Sequence, residues 1–336
     1  MKFISFFKTD VKIINSYFLI ILILLILVCV GYSSYALFSF SKTSPNTIEL
    51  EVGEMTKLAA ETLIAQTDNL NESGLYTIVH SADSTLQIGA TESVTEYRYR
   101  GANPKNYVTF NNETWRIIGV FPTEDENGNI ENRIKLIRNE SIGDYYWNTT
   151  QVSSTNSYNN WTGATLNTYL NGDYYNTLTS EAQSMISSAK YYLGGYNATS
   201  QTSQDMYSYE RKISGSDYYY DTNPTNWVGK LALMYESDYG YASLNCETKK
   251  LYDTETTDLR ACNDTNWLYN IKTSEWLLPQ YSVSGVNAFF VVNSGDVRSN
   301  TVSGRSYAVR PILYLSSQIK ITSEDGTESS PYQLGL

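Results

Sequence analysis

The apolar positions change period several times along the chain, and each change marks an element. Residues 17–30 are almost unbroken apolar sequence, and residues 31–40 continue it weakly. From Tyr17 to Phe38 the segment has 22 residues and no charge. That is long enough to span a bilayer as a helix. Lys2, Lys8 and Lys12 precede it, which places the N-terminus inside and the rest outside. A cleaved signal peptide competes with a permanent anchor, because Ser34-Tyr35-Ala36 reads as a small-x-small cleavage site. Either way the remainder is exported.

Residues 41–46 read as a polar hinge. Met55, Leu58, Ala59, Thr62 and Leu63 recur at helical spacing and predict an amphipathic helix over 54–66. Residues 67–93 are polar and rich in turn signals, as in a stalk or lead-in subdomain. Strand-like runs at 107–110, 114–121 and 133–137 predict a three-stranded meander, with Asn111-Asn112 taking the left-handed turn of a tight hairpin. Two helices follow. Asn160-Trp161-Thr162 opens the first, Leu166, Tyr169 and Leu170 share a face, and Gly172 is placed to end it. The second starts at Ser180 with Gln183 at capping-box spacing, carries Ala182, Met185, Ile186 and Ala189 as its stripe, and stops at Gly194-Gly195.

Residues 197–225 lack apolar periodicity, and a loop of this length inside a domain is usually functional or disordered. Buried strands are expected at 231–235, 276–278, 288–292 and 309–315, with a hairpin turn over 293–296. The last run contains Arg310 and Pro311. A proline gives the sheet ladder no N–H, and a buried arginine needs a partner. The expected division is 1–40 (cytoplasmic tip and membrane or signal helix), 41–95 (helical stalk or lead-in), 96–320 (main domain) and 321–336 (tail).

Composition sharpens the picture. The chain has 30 tyrosines among 336 residues and a single histidine, His80. Tyrosine offers rigid contact area with a polar tip, a mixture suited to extracellular binding faces. The net charge is −11; Lys2, Lys8, Lys12 and Asp10 contribute +2, so the exported part carries −13. Phosphate backbones repel such a surface, which argues against nucleic-acid partners. Cys29 lies in the membrane segment, leaving Cys246 and Cys262 in an oxidising compartment. A disulfide is the default reading of such a pair, and a reactive or metal-binding dithiol the alternative.

The ordered segments EYRYRGANPKNYVTFNNETWRIIGVF, IKLIRNESIGDYYWN, NNWTGATLNTYLNGDYYNTLTSEAQSMI, LALMYESDYGYAS, WLLPQYSVSGVNAFFVVNSGDV and YAVRPILYL resemble the C-type-lectin-like fold. They are similar to its branch in bacterial exported proteins and formylglycine-generating enzymes. The resemblance implies an α+β fold of mixed sheets with two consecutive helices, and a closing Val-Arg-Pro strand lying near the domain's termini. There Arg310 would bridge to a carboxylate or to loop carbonyls. It also implies that the long loop region carries ligand contacts, which singles out Tyr218, Tyr219, Tyr220 and Trp227. Residues 31–55 resemble the leader junction of camelysin-like and biofilm-matrix proteins.

The chemistry this resemblance brings is mostly not matched. The calcium-binding Glu-Pro-Asn and Trp-Asn-Asp patterns of sugar-binding lectins are missing, so no metal and no cofactor is expected; Asp217, Asp221 and Asp296 leave room only for an adventitious oxygen site. His80 is expected to lie upstream of the main domain, and the carboxylate pairs Asp217 with Asp221 and Glu236 with Asp238 read as solvated loop residues. The expected function is recognition of a protein or glycan outside the cell by a membrane-tethered bacterial surface protein, not enzymatic. A structural subunit of a surface fibre or matrix is the alternative, and an extracellular enzyme ranks third.

Overall fold

The computed structural model describes residues 38–44, 47–52, 57–150, 157–197, 201–244, 247–251, 260–270, 272–323 and 325–336. Its contacts divide the chain into two units, 1–56 and 57–336. In the first, β1 (Phe38–Ser44) and β2 (Thr47–Val52) pair as an antiparallel hairpin. Extended backbone therefore stands over residues 41–44 of the expected polar hinge, whose last two residues lie outside the described ones, and Phe38 begins a strand. The membrane-helix expectation otherwise falls on residues 17–37, which lie outside the described residues. Among the described residues no helix is long and apolar enough to cross a membrane.

The second unit is mixed α+β and mostly sheet. It opens with α1 (Ala59–Ile64), a short core of the expected helix that buries Ala59, Ala60 and Leu63. Then come β3 (Gly74–His80), β4 (Val94–Arg100), β5 (Tyr107–Phe110), β6 (Glu113–Glu124) and β7 (Ile130–Arg138). Asn111 and Asn112 turn the β5–β6 hairpin with φ of 56° and 58°, as their tolerance of left-handed backbone predicts. β6 pairs with β5 through its first half and with β4 through its second. Gly119 permits this switch, since a Cβ there would lie 2.1 Å from the Tyr97 carbonyl oxygen. A short β8 (Asp144–Tyr145) ends this half.

The helical middle departs from its pattern. Helix α2 begins at Thr165–Tyr169, passes Gly172 in a π-helical turn (Leu170–Tyr174) and ends at Tyr175–Thr177. Gly172 faces open space, so nothing stops the helix there. Helix α3 (Ser180–Met185) is capped by Thr179, whose hydroxyl accepts from the Ala182 N–H at 3.2 Å. Ile186 and Ala189, expected on its stripe, instead enter β9 (Ile186–Ser187) and β10 (Ala189–Tyr192). A third helix, α4 (Ser203–Glu210), rises inside the segment that showed no periodicity. β11 (Asn226–Gly229) and β12 (Leu231–Ala232) follow, the latter ending three residues short of the expected Tyr235, then α5 (Glu236–Tyr241).

The chain closes with β13 (Glu275–Gln280), β14 (Asn287–Val291), β15 (Val297–Thr301), β16 (Tyr307–Ala308), β17 (Ile312–Leu315), β18 (Lys320–Ser323) and β19 (Tyr332–Gly335). The large sheet runs β12-β17-β7-β6-β5-β19-β18, with β3-β4 on β6 and β9 on β17. The second sheet runs β15-β14-β13-β16-β8. β10 and β11 form a separate ribbon.

Two expected boundaries are corrected by this topology. The 41–95 stalk is not separate beyond residue 57: β3 pairs along its length with β4, and α1 buries its apolar face in the common core. The 321–336 tail folds as a hairpin, and β19 lies parallel to β5. Apolar residues of these segments complete the core, so sheet pairing outweighs their polar composition.

The topology explains Arg310 and Pro311. Ala308 belongs to the second sheet and Ile312 to the large one, so the run 307–315 is two strands in two sheets. Pro311 sits at the crossing, where no ladder N–H is required. Arg310 is buried and donates from Nε and Nη2 to both Glu275 oxygens at 2.7–2.9 Å, and from Nη2 to the Leu268 carbonyl at 2.8 Å. β17 lies inside the large sheet between β7 and β9/β12, not beside the terminal strands.

Candidate functional site

The segment leading from β10 to β11 builds the site. Gly194 and Gly195 lead out of β10 against neighbouring backbone; a Cβ on Gly195 would stand 1.8 Å from the Gln280 carbonyl oxygen. Helix α4 then starts on a capping box. Thr202 Oγ1 accepts from the Asp205 N–H at 3.2 Å, and Asp205 Oδ2 accepts from the Thr202 N–H at 2.9 Å. This pairing nucleates a helix that has almost no apolar stripe. Its Tyr209 is stacked on Tyr196, with ring centroids 4.2 Å apart and planes 22° off parallel.

Tyr218 completes the group at 5.2 Å from Tyr209 and 5.9 Å from Tyr196. These distances describe a triangle, not a column. All three rings are half-buried, so the triangle presents aromatic surface to solvent. Exposed Asp217 and Val283 lie beside it, and Ser282 Oγ donates to the Asp217 carbonyl at 2.7 Å. Tyr220 is half-buried nearby, its N–H donating to Gln280 Oε1 at 3.0 Å.

Two residues expected at a ligand face are turned elsewhere. Tyr219 is 4 % exposed, and its hydroxyl donates to the Lys212 carbonyl and accepts from Gln87 Nε2 at 3.3 Å. It anchors the loop to the core. Trp227 is half-buried on β11 against Tyr191 and Trp161, with centroids 5.6 and 6.3 Å away. It closes the core beneath the loop. Burial of large apolar rings outweighs exposure wherever a neighbouring sheet offers cover.

A buried amide network fixes the loop from below. Asn223 Nδ2 donates to Asn159 Oδ1 at 2.9 Å and to Gln280 Oε1 at 2.8 Å. Asn159 in turn donates to the carbonyls of Tyr281, Ser284 and Asn287 at 2.9–3.1 Å. The tyrosine triangle therefore stands on a saturated polar base, which holds its geometry.

A second cluster lies in the core. Glu96 takes Arg98 Nε at 2.9 Å and His80 Nε2 at 3.2 Å; Asp238 takes Arg98 Nη1 at 2.9 Å and Lys135 Nζ at 2.5 Å. Glu210 accepts from Arg211 at 2.9 Å and from the Ser237 hydroxyl at 2.6 Å. Each of these groups is at most 7 % exposed. His80 therefore belongs to the folded unit, stacked on Tyr207 at 3.4 Å, and Glu236 and Asp238 are core residues of α5, not solvated loop carboxylates.

The electrostatics follow from burial and pairing. Burial opposes ionisation of Glu96, yet the Arg98 guanidinium and the His80 hydrogen bond hold its carboxyl well below the usual range. Burial lowers His80, so its ring is neutral at pH 7. Burial also brings Lys135 down to about 8, against the pull of Asp238. Glu236 differs from the rest. Among the described residues neither of its oxygens has a hydrogen-bond partner, and burial together with nearby Glu210 raises its carboxyl well above the ordinary range. Glu210 is also raised by burial, but the Arg211 guanidinium and the Ser237 hydrogen bonds oppose that shift, an opposition Glu236 lacks.

Asp217 and Asp221 are exposed, whereas Asp296 is buried against Arg260 with contacts of 2.6–3.2 Å. Among the described residues no three His, Cys, Asp or Glu side chains converge on a metal position. Cys262 is 2 % exposed on the 3₁₀ turn Arg260–Thr265; Cys246 lies outside the described residues.

Residues 131–317 match the family described as a domain of unknown function, DUF6273. The chain belongs to the DUF6273 family. No curated protein and no solved structure matches it. The DUF6273 span runs from β7 to just past β17, and includes the tyrosine triangle, its amide base and the Arg310–Glu275 pair. Strands β3–β6, β18 and β19 lie outside the span yet hydrogen-bond into its large sheet.

Sequence reasoning singled out Tyr218 but not Tyr196 or Tyr209. The Thr202/Asp205 pair was the available signal, since a capping box at that spacing marks a helix start in the absence of an apolar stripe.

Proposed function

We propose that this chain is a membrane-tethered bacterial surface protein with a C-type-lectin-like domain that binds a protein or glycan partner outside the cell. The observation that carries the reading is the half-exposed triangle of Tyr196, Tyr209 and Tyr218, stacked and fixed from below by buried amides. Aromatic rings held in place supply contact area at small entropic cost, and such residues dominate binding energy where they cluster. The apolar segment 17–38, with lysines on its N-terminal side, supports export and tethering.

The test is a broad array of glycans and extracellular proteins, probed with the full-length chain in detergent. Binding that Tyr218→Ala weakens supports the reading. Silence across the array from a folded sample overturns it. Fractionation tests the tether: the intact N-terminus should travel with the membrane.

A further inference from the structure

The tyrosine triangle carries a charge pattern that narrows its ligand. The face of each ring is the negative part of its quadrupole and attracts cations. Asp205 lies on the same helix as Tyr209, Asp217 immediately precedes Tyr218, and Asp83 holds Lys212 beside the Tyr218 ring. Burial and then Asp205 push Tyr209 up to about 12, while burial, Tyr196, Asp217 and Asp83 raise Tyr218. These groups feel a negative field as well as partial burial.

The chain already places one of its own cations here. Lys212 Nζ lies 5.6 Å from the Tyr218 centroid, bound to Asp83 at 3.2 Å and to Thr85 Oγ1 at 2.6 Å. Asp205 is likewise engaged, in the α4 cap. Asp217 is exposed, and among the described residues its carboxylate takes no hydrogen bond or ion pair; only its main-chain carbonyl is used, by Ser282. One acidic group beside the aromatic face is thus left without a cation.

Resting on the recognition role proposed above, we infer that the Tyr196–Tyr209–Tyr218 face binds a lysine or arginine side chain on a basic segment of a partner protein, with Asp217 as the counter-ion. With sides of 4.2–5.9 Å the rings cover one another's inner faces too closely to admit a cation between them, so the ammonium or guanidinium head lies against the outer, solvent-facing surface of the group beside Asp217. The exported part carries −13, which draws basic segments toward it and repels acidic ones.

The experiment compares two peptides on the full-length chain in detergent, by calorimetry at low and high salt. One is rich in lysine; the other has the same sequence with every lysine acetylated. The lysine peptide should bind roughly tenfold more tightly, the range expected of a cation over several rings, and should lose affinity in high salt. Tyr218→Ala should weaken it by a similar factor. Asp217→Lys reverses the local charge without touching a ring or a core contact, and should remove the preference for the charged peptide in a protein with unchanged circular dichroism. Equal binding of the two peptides overturns the inference, as does full affinity in Asp217→Lys. If instead a neutral glycan from the array binds in a Tyr218-dependent manner, the cationic ligand is wrong and the recognition role stands. If neither peptide nor array ligand binds, both fall.

Discussion

Arg310→Met is the sharpest perturbation of this fold, because it removes one partner of a buried ion pair at the joint between two sheets. Arg310 is 6 % exposed and Glu275 4 %. The substitution keeps most of the aliphatic volume but deletes three N–H···O contacts of 2.7–2.9 Å to Glu275 and one of 2.8 Å to the Leu268 carbonyl. Glu275 is then a buried carboxylate without a cation. Breaking such a pair costs about 3–5 kcal/mol. For a unit of this size that lowers Tm by on the order of 10 °C. Replacing both partners, Arg310→Met with Glu275→Leu, removes the stranded charge and should recover most of the loss, since apolar replacement of a buried pair is often neutral. Urea unfolding of wild type, both single variants and the double variant gives the coupling energy directly. A single-variant cost below about 1 kcal/mol, within the range of an exposed pair, would refute the argument and return Arg310 to a solvated edge. So would a double variant as unstable as the sum of the singles.

Three further outcomes follow from the same reasoning. Glu236 has its carboxyl raised in the fold above the ordinary 4.5, so the unfolded chain ionises first and stability falls as pH rises from about that value toward the folded one. Glu236→Gln should remove this loss, so that the variant gains on wild type with rising pH by up to about 1.4 kcal/mol per unit in denaturant titrations; parallel curves from pH 5 to 8 (about neutral on either side) would show Glu236 ionised in both states. Cys246 and Cys262 should appear as a cross-linked peptide in mass spectra of unreduced protein isolated from its native source, closing a loop whose bond contributes about 3 kcal/mol; two alkylatable thiols would disprove it. Tyr219→Phe should cost about 1 kcal/mol by removing the hydroxyl bonds to Lys212 and Gln87, and should weaken ligand binding at Tyr218 without altering any exposed ring; unchanged loop proteolysis and affinity would remove Tyr219 from its anchoring role.

What the sequence by itself determined is local. Asn111-Asn112 specifies a left-handed hairpin turn, and Gly295, with φ of 95°, the turn between β14 and β15. The β5–β6–β7 meander follows from its runs of apolar and β-branched residues, and the α+β class is what the resemblance of the ordered segments implies. These signals act between residues a few positions apart. Tertiary structure alone decided the rest. Ile186 and Ala189 fit a helical stripe, but pairing with β17 and β11 draws their segments into strands. Glu236 and Asp238 read as solvated loop residues until the fold brings Arg98 and Lys135 to Asp238 from 140 and 103 positions away. Tyr196, Tyr209 and Tyr218 carry no shared period, and only the close backbone packing at Gly194-Gly195 and the capped helix α4 bring them onto one face. Arg310 could be said to need a partner from its burial alone, but not which one. Glu275 stands in the other sheet, and the identity of a partner across two sheets is fixed by how they pack, not by the residues next to it.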